Sequence, residues 1–262
     1  MNKKQLKYLL PPVAVDLGLY IKKKIQNFEN RKIINKNKQF SNKYIGETVH
    51  ILANGPSLTP EILASLSGEK VIVMNNFFMG KVDIDLDIVA CCYGEHRSSP
   101  ACNLENIEDI LVKTGAKSFW LDISLAVYDF SHVEKLINYV LPAYEPGILG
   151  QRKIKLDCPT LSYQTTAQLG VMVAIYMGFK EICLHGFDHD WLATTDYQRH
   201  FYSRDKDDTD CLEAMSYHEI ICSMERMWRI YIKLDQLSKR QNIKILNCSR
   251  GSYLDVFERH EH

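Results

Sequence analysis

Apolar residues in this 262-residue chain fall into short runs separated by amphipathic stretches. Residues 49–53 (VHILA), 70–74 (KVIVM), 88–92 (IVACC), 119–123 (FWLDI), 182–185 (ICLH) and 243–246 (IKIL) are such runs. Continuous apolar runs this short fit strands covered on both faces. Between them, helical spacing recurs at about 59–66, 105–113, 131–140, 165–178 and 212–240. The alternation predicts an α/β domain with a mostly parallel sheet and helices on both sides. Upstream, Pro11 and Pro12 precede Val13, Leu17, Ile21, Ile25 and Phe28, which recur at helical spacing with Lys22, Lys23 and Lys24 beside the stripe. This predicts a basic amphipathic helix of about four turns. Residues 29–46 are polar and read as a linker. The expected division is 1–45, helix and linker, and 46–262, one domain.

Charge changes the picture of the arm. The chain is neutral, with 32 Lys+Arg against 32 Asp+Glu, yet residues 1–44 hold eleven basic and two acidic residues, a net +9 that leaves −9 on the body. Such an arm packs on the body or on a second subunit, or lies on an anionic membrane surface as a peripheral helix. Nucleic acid is not expected, because no aromatic residues interleave with the charge. Hydrophobic residues at 46% and charged residues at 24% exclude a disordered chain. No stretch approaches the ~20 apolar residues of a membrane span, and no secretory leader is expected. The eight cysteines form no CxxC pair and no zinc spacing, so a reducing cytoplasm is the expected location.

In an open parallel sheet, ligands bind beyond the carboxyl ends of the strands. The residues there are small and polar: Asn54-Gly55-Pro56-Ser57, Asn75-Asn76, Gly186-Phe187-Asp188 and Asn247-Cys248-Ser249. Gly55 would let backbone approach a ligand. Pro56 and Ser57 are expected to open a helix whose free N–H groups favour phosphate, or simply to form a capped turn. Asn75 and Asn76 suit a ribose, a base edge or a turn. Thr165 and Thr166 precede QLGVMVAIYMGF; either is an N-cap, and a cap facing a cleft also presents donors. Asp188-His189-Asp190 matches the DxD pattern that can hold a divalent metal against a diphosphate, but any acidic pair at that spacing matches, and a metal is not favoured. His200, on a charged loop, can act as general base or be a solvated histidine. His185, after an apolar run, reads as a core histidine, and His218 as inert.

Four segments in order carry a family resemblance: NGPSL at residues 54–58, MNNF at 74–77, TTAQLGVMVAIYMGFKEICLHGFDHDW at 165–191, and LNCSRGSYLDVF at 246–257. Together they resemble bacterial sialyltransferases of glycosyltransferase family 42 and the related DUF115-like proteins of surface-glycan gene clusters. The resemblance spans about 46–258 and is weaker between 93 and 160. It implies a single Rossmann-like, GT-A-variant nucleotide-binding domain with a lid at about 189–212. It also implies metal-free inverting transfer of sialic acid, or another sugar acid such as Kdo, from a CMP donor to a glycan or glycolipid acceptor in surface polysaccharide or lipooligosaccharide synthesis. Asn54, Gly55, Pro56 and Ser57 would hold phosphate and ribose, and Asn75 the nucleotide or sugar. Thr166, with Thr165 beside it, would meet the donor carboxylate. Asp188 would support the donor site and Ser249 would approach the cytidine. His200 would be the base, and Tyr202 or Tyr197 would bond the leaving phosphate. The chain departs from the family where tyrosines follow the fifth strand: here the residues are His189-Asp190-Trp191. A metal-dependent nucleotide-diphosphate-sugar transferase, a pterin pyrophosphokinase-like enzyme and a non-catalytic nucleotide-sugar-binding scaffold are the alternatives. Homo-oligomerisation is left open.

Overall fold

The computed structural model describes residues 30–133, 136–144, 152–190, 201 and 215–260. Its strands are β1 (Thr48–Leu52), β2 (Lys70–Met74), β3 (Asp87–Tyr93), β4 (Phe119–Asp122), β5 (Ile137–Val140), β6 (Pro142–Tyr144), β7 (Thr160–Leu161), β8 (Glu181–His185), β9 (Lys244–Asn247) and β10 (Glu258–Arg259). Its α-helices are α1 (Asn30–Ile34), α2 (Pro60–Ser65), α3 (Leu104–Lys113), α4 (Thr166–Met177) and α5 (Tyr217–Arg240). Eight strands form one parallel sheet in the order β10-β9-β8-β1-β2-β3-β4-β5, and β6 pairs with β7. The six apolar runs are strands of the large sheet. The fold is the expected doubly covered, Rossmann-like α/β domain.

Alternate residues of β1 face opposite layers. Val49 and Ile51 pack with Met172 and Val173 of α4 and Leu234 of α5. Leu52 turns the other way, with Leu63 of α2 and Ile107 and Ile110 of α3. Each fully buried side chain of this kind contributes roughly 1.5–3 kcal/mol of transfer free energy. All twelve residues of α4 are buried, which explains a sequence that is apolar all round. Gly178, at φ 87°, ends it. The Asn103 side chain caps α3 through the N–H groups of Glu105 and Asn106. A reciprocal Ser216–Glu219 capping box starts α5.

Three expectations are corrected. Residues 131–140 are not a helix, since β5 lies there and pairs in parallel with β4. Val133, Leu136, Ile137 and Val140 have helical spacing, but four residues of β5 gain a sheet edge instead. The stretch expected as a linker holds α1 and a 3-10 segment, Asn35–Phe40, with Ile34, Asn37 and Phe40 buried. Asn37 Nδ2 donates to the carbonyls of Tyr139 (2.8 Å) and Leu156 (2.6 Å), satisfying backbone at the β5 edge. Finally, no helix starts at Pro56-Ser57: α2 begins at Pro60, and Thr59 accepts from the Ile62 N–H at its N-cap. The basic helix expected at 13–28 lies outside the described residues. No helix among the described residues is long and apolar enough to cross a membrane.

Candidate active site

The chain runs outward from β1 through β2, β3, β4 and β5 on one side, and from β8 through β9 and β10 on the other. The switch point therefore lies between β1 and β8, where an open sheet forms its ligand crevice. A cavity of about 160 Å³ sits there, lined by residues 53–56, Met74, Asn75, residues 165–167 and residues 186–190.

Its floor is an interlock of the β1 and β8 ends. The Ala53 N–H donates to His185 O (2.8 Å) and the Gly55 N–H to Gly186 O (3.1 Å). A Cβ on Gly55 would lie 1.8 Å from Asp188 Oδ2 and 2.4 Å from Gly186 O. Gly186, at φ 72°, would place a Cβ 2.4 Å from Ala53 O. Glycine is needed at 55 for this close approach of protein to protein. The Ser57 N–H donates to Asp188 Oδ2 (3.3 Å), so the turn after β1 spends its N–H groups inside the fold. These cross-strand bonds hold residues 55–57 out of a helix.

Donors facing the cleft come from elsewhere. Thr165 caps α4, its Oγ1 accepting from the Gln168 N–H (3.3 Å), and Thr166 Oγ1 accepts from the Gly94 N–H (3.1 Å). The first-turn N–H groups of Thr166 and Ala167 have no partner within the helix, and both residues line the cavity. Asn75, at φ 47°, donates its N–H to Cys92 O (3.0 Å). Its Oδ1 is buried without a hydrogen bond among the described residues. Asn54 Nδ2 donates to Met74 O (3.3 Å).

Burial raises the Asp188 carboxyl pKa; the adjacent Ser57 hydroxyl and N–H oppose that rise, and the Asp190 charge adds to it. His189 is buried at φ 53°, and burial lowers its pKa to about 4, so the imidazole is neutral at physiological pH. Its ring packs against Tyr231, Trp228 and Phe187. The sequence shows His189 only as the residue between the two carboxylates of the DxD match; its left-handed backbone is invisible in the letters GFDHDW.

Ser249 does not line the cavity. Its Oγ accepts from the Phe187 N–H (2.9 Å) and donates to Leu184 O (3.3 Å). His185 is a core histidine, with Nε2 3.0 Å from His50 Nδ1. His218 is exposed on α5 beside Cys222. His200, Tyr202 and Tyr197 lie outside the described residues. Phe201, between the first two, is described: its N–H donates to Asn54 O (2.9 Å) and its ring packs on Phe77. That bond ties Phe201 to the loop after β1. Among the described residues, no group of three or more His, Cys, Asp or Glu side chains could hold a metal ion.

The fold and cleft define a doubly wound α/β domain with a polar cleft at its switch point. No protein-family profile and no curated protein matches the chain. Among solved structures it is similar to the Maf glycosyltransferase of Magnetospirillum magneticum AMB-1, at 14% identity and a TM-score of 0.49. That match covers 89% of this chain and 38% of the other, so the chain spans well under half of that protein's length. It is also similar to the sialyltransferase CstII of Campylobacter jejuni in complex with cytidine-5'-monophosphate, at 17% identity and a TM-score of 0.45, covering 82% of this chain and 85% of that one. A variant of the same sialyltransferase with CMP matches at 15% and 0.44. Matches at this level leave the activity to be argued from the chain's own residues.

Proposed function

We propose that the chain is a glycosyltransferase whose cleft holds a CMP-activated sugar acid such as CMP-sialic acid or CMP-Kdo. One observation carries the choice of donor. The described cavity lining holds two carboxylates, Asp188 and Asp190, and no Lys or Arg. Without a bound cation, such a wall tolerates the two adjacent charges of a diphosphate poorly, whereas a CMP-sugar acid carries one charge on its phosphate and the other on the sugar carboxylate, apart from it. The N–H groups and dipole at the start of α4 supply neutral donors for that single phosphate. Asp188 accepts from the ribose hydroxyls, and Asn75 bonds the nucleotide or sugar.

The transfer is an inverting displacement. The acceptor hydroxyl oxygen attacks the anomeric carbon, the bond from that carbon to the phosphate oxygen breaks, and CMP departs with the electron pair. His200 takes the hydroxyl proton, and Tyr202 donates to the leaving phosphate. The tether from Phe201 to Asn54 supports this assignment, because Phe201 sits against the loop after β1 and is the sequence neighbour of both residues. No protein-bound metal enters this scheme.

The test is thermal unfolding with CMP, UDP and GDP, each with EDTA or with Mg²⁺. CMP in EDTA is expected to stabilise the protein, by about 2.7 kcal/mol at a hundred times its Kd. Stabilisation by diphosphates alone, and only with Mg²⁺, overturns the donor and favours a metal-dependent transferase or pyrophosphokinase. CMP binding with no transfer to any sugar acceptor favours the scaffold.

A further inference from the structure

The loop after β3 is held at both ends by hydrogen bonds that the transfer scheme does not use. At its start, the Gly94 N–H donates to Thr166 Oγ1 (3.1 Å). Further on, the Arg97 N–H donates to Ser124 Oγ (2.9 Å). Ser124 follows β4, and its own N–H donates to Asp122 Oδ1 (2.8 Å). The other oxygen of that buried carboxylate, Oδ2, accepts from the Tyr163 hydroxyl (2.9 Å). The Tyr163 ring lies against Gly94: a Cβ there would stand 3.1 Å from Tyr163 Cε2 and 3.0 Å from Thr166 Oγ1. Gly94 is thus pinched between the Tyr163 ring and Thr166. Of the three, only Thr166 lines the cleft.

We propose that Tyr163 is a positioning residue: anchored by Asp122, it presses Gly94 onto Thr166 and so leaves the Thr166 hydroxyl hydrogen to donate to an anionic oxygen of the bound donor. A hydroxyl has one hydrogen and two lone pairs. The Gly94 N–H takes one lone pair of Thr166 Oγ1, and among the described residues that oxygen has no other hydrogen bond. Its hydrogen is left for the cleft. A backbone N–H on the oxygen also polarises the hydroxyl and strengthens it as a donor. The N–H groups of Thr166 and Ala167 open the same end of α4, so the hydroxyl joins a set of donors that favours an anion. The phosphate and the sugar carboxylate both present such an oxygen. The inference rests on the donor reading of the cleft.

Calorimetric titration of the full chain, without acceptor, tests it with three ligands: cytidine, CMP, and whichever of CMP-sialic acid and CMP-Kdo binds. Thr166→Val removes the hydroxyl and keeps the shape. It is expected to weaken the anionic ligand about tenfold, the loss of one hydrogen bond to a charged group, and Thr166→Ser to retain the affinity. A loss already present with CMP places the oxygen on the phosphate; a loss seen only with the CMP-sugar places it on the carboxylate. Tyr163→Phe keeps the ring and frees it from Asp122. It is expected to weaken the same ligand about threefold, the low end of couplings within one network, with cytidine affinity unchanged and no further loss in the Thr166→Val background. Should Tyr163→Phe not fold, Gly94→Ala, which crowds the same oxygen, carries the same expectation. An equal loss with cytidine, or a Tyr163→Phe loss that persists in the Thr166→Val background, marks a structural role only and overturns the proposal. So does a Thr166→Val affinity equal to wild type for every ligand bound. A wild type that binds neither CMP nor a CMP-sugar instead overturns the donor reading, and the positioning role falls with it.

Discussion

Gly55→Ala tests how the cleft is built. The added Cβ would lie 1.8 Å from Asp188 Oδ2, 2.8 Å from Asp188 Cγ and 2.4 Å from Gly186 O. The carboxylate is the end of a side chain and can swing away. The carbonyl cannot, because it accepts the Gly55 N–H at 3.1 Å. Gly186 is itself confined by Ala53 O on its other side. Relief therefore requires parting the ends of β1 and β8. Forced overpacking costs ~1–3 kcal/mol and one lost backbone hydrogen bond about 1 kcal/mol, so a destabilisation of about 2–4 kcal/mol follows. For a domain of this size that is a fall in Tm of roughly 5–15 °C. Circular dichroism melts with and without CMP give the readout: a lower Tm, and loss of the CMP-induced rise. The Gly55→Ala/Asp188→Ala double variant separates the two obstacles. It removes the carboxylate and leaves the carbonyl, so rescue should be partial at most. A Tm within about 2 °C of wild type for Gly55→Ala, or full rescue in the double variant, refutes the interlock.

Acid should destabilise the fold through His189. Its folded pKa, about 4, lies below the ordinary histidine value of 6.5, so its contribution is present above pH 6.5 and lost as pH falls toward 4. The shift corresponds to about 3 kcal/mol. Urea midpoints across that window should flatten in His189→Gln, and an unchanged pH slope contradicts the assignment. Asp188 runs the other way: its raised pKa means that ionisation costs stability, fully relieved below the unfolded pKa and felt as pH rises through the folded one. For the base, His200→Ala is expected to lower turnover by ~10²–10⁴-fold with CMP affinity unchanged. Transfer near the wild-type rate in that variant sinks the assignment.

The sheet was legible where burial on both faces made strands uniformly apolar, as in KVIVM and IVACC. It was not legible at β5, where INYV carries a buried asparagine. Asn138 is tolerated there because its Nδ2 donates to the carbonyls of Phe119 and Leu136. Likewise Asn37, in a run of Lys and Asn that reads as linker, is a buried edge cap. Polar residues that serve backbone look like loop in a sequence. At the site, residue types at strand ends pointed to the cleft between the β1 and β8 ends, since topology alone fixes where strands end. The direction of donors was not readable. Letters cannot tell that the Gly55 N–H belongs to Gly186, that the Ser57 N–H belongs to Asp188, or that both hydrogen-bonding roles of Ser249 are used within the core.

The cost of this architecture is concentrated at one place. Of the five left-handed non-glycine residues among those described, Asn75 and His189 both line the cleft. Beneath them, Asn247, Ser249 and Ser252 form a buried polar network: Asn247 Nδ2 donates to Ser252 Oγ (3.0 Å) and Leu254 O (2.8 Å), and its Oδ1 accepts from the Ser249 N–H (3.0 Å). Apolar side chains would fill that volume at lower desolvation cost. What the network adds is direction. It pins the β8 and β9 ends, and Asp188 O then accepts the Tyr253 N–H (2.8 Å), so the wall bearing Asp188 and His189 is held from behind by fixed bonds. The proposed metal-free binding of an anionic donor requires that rigidity, which keeps neutral donors at set distances.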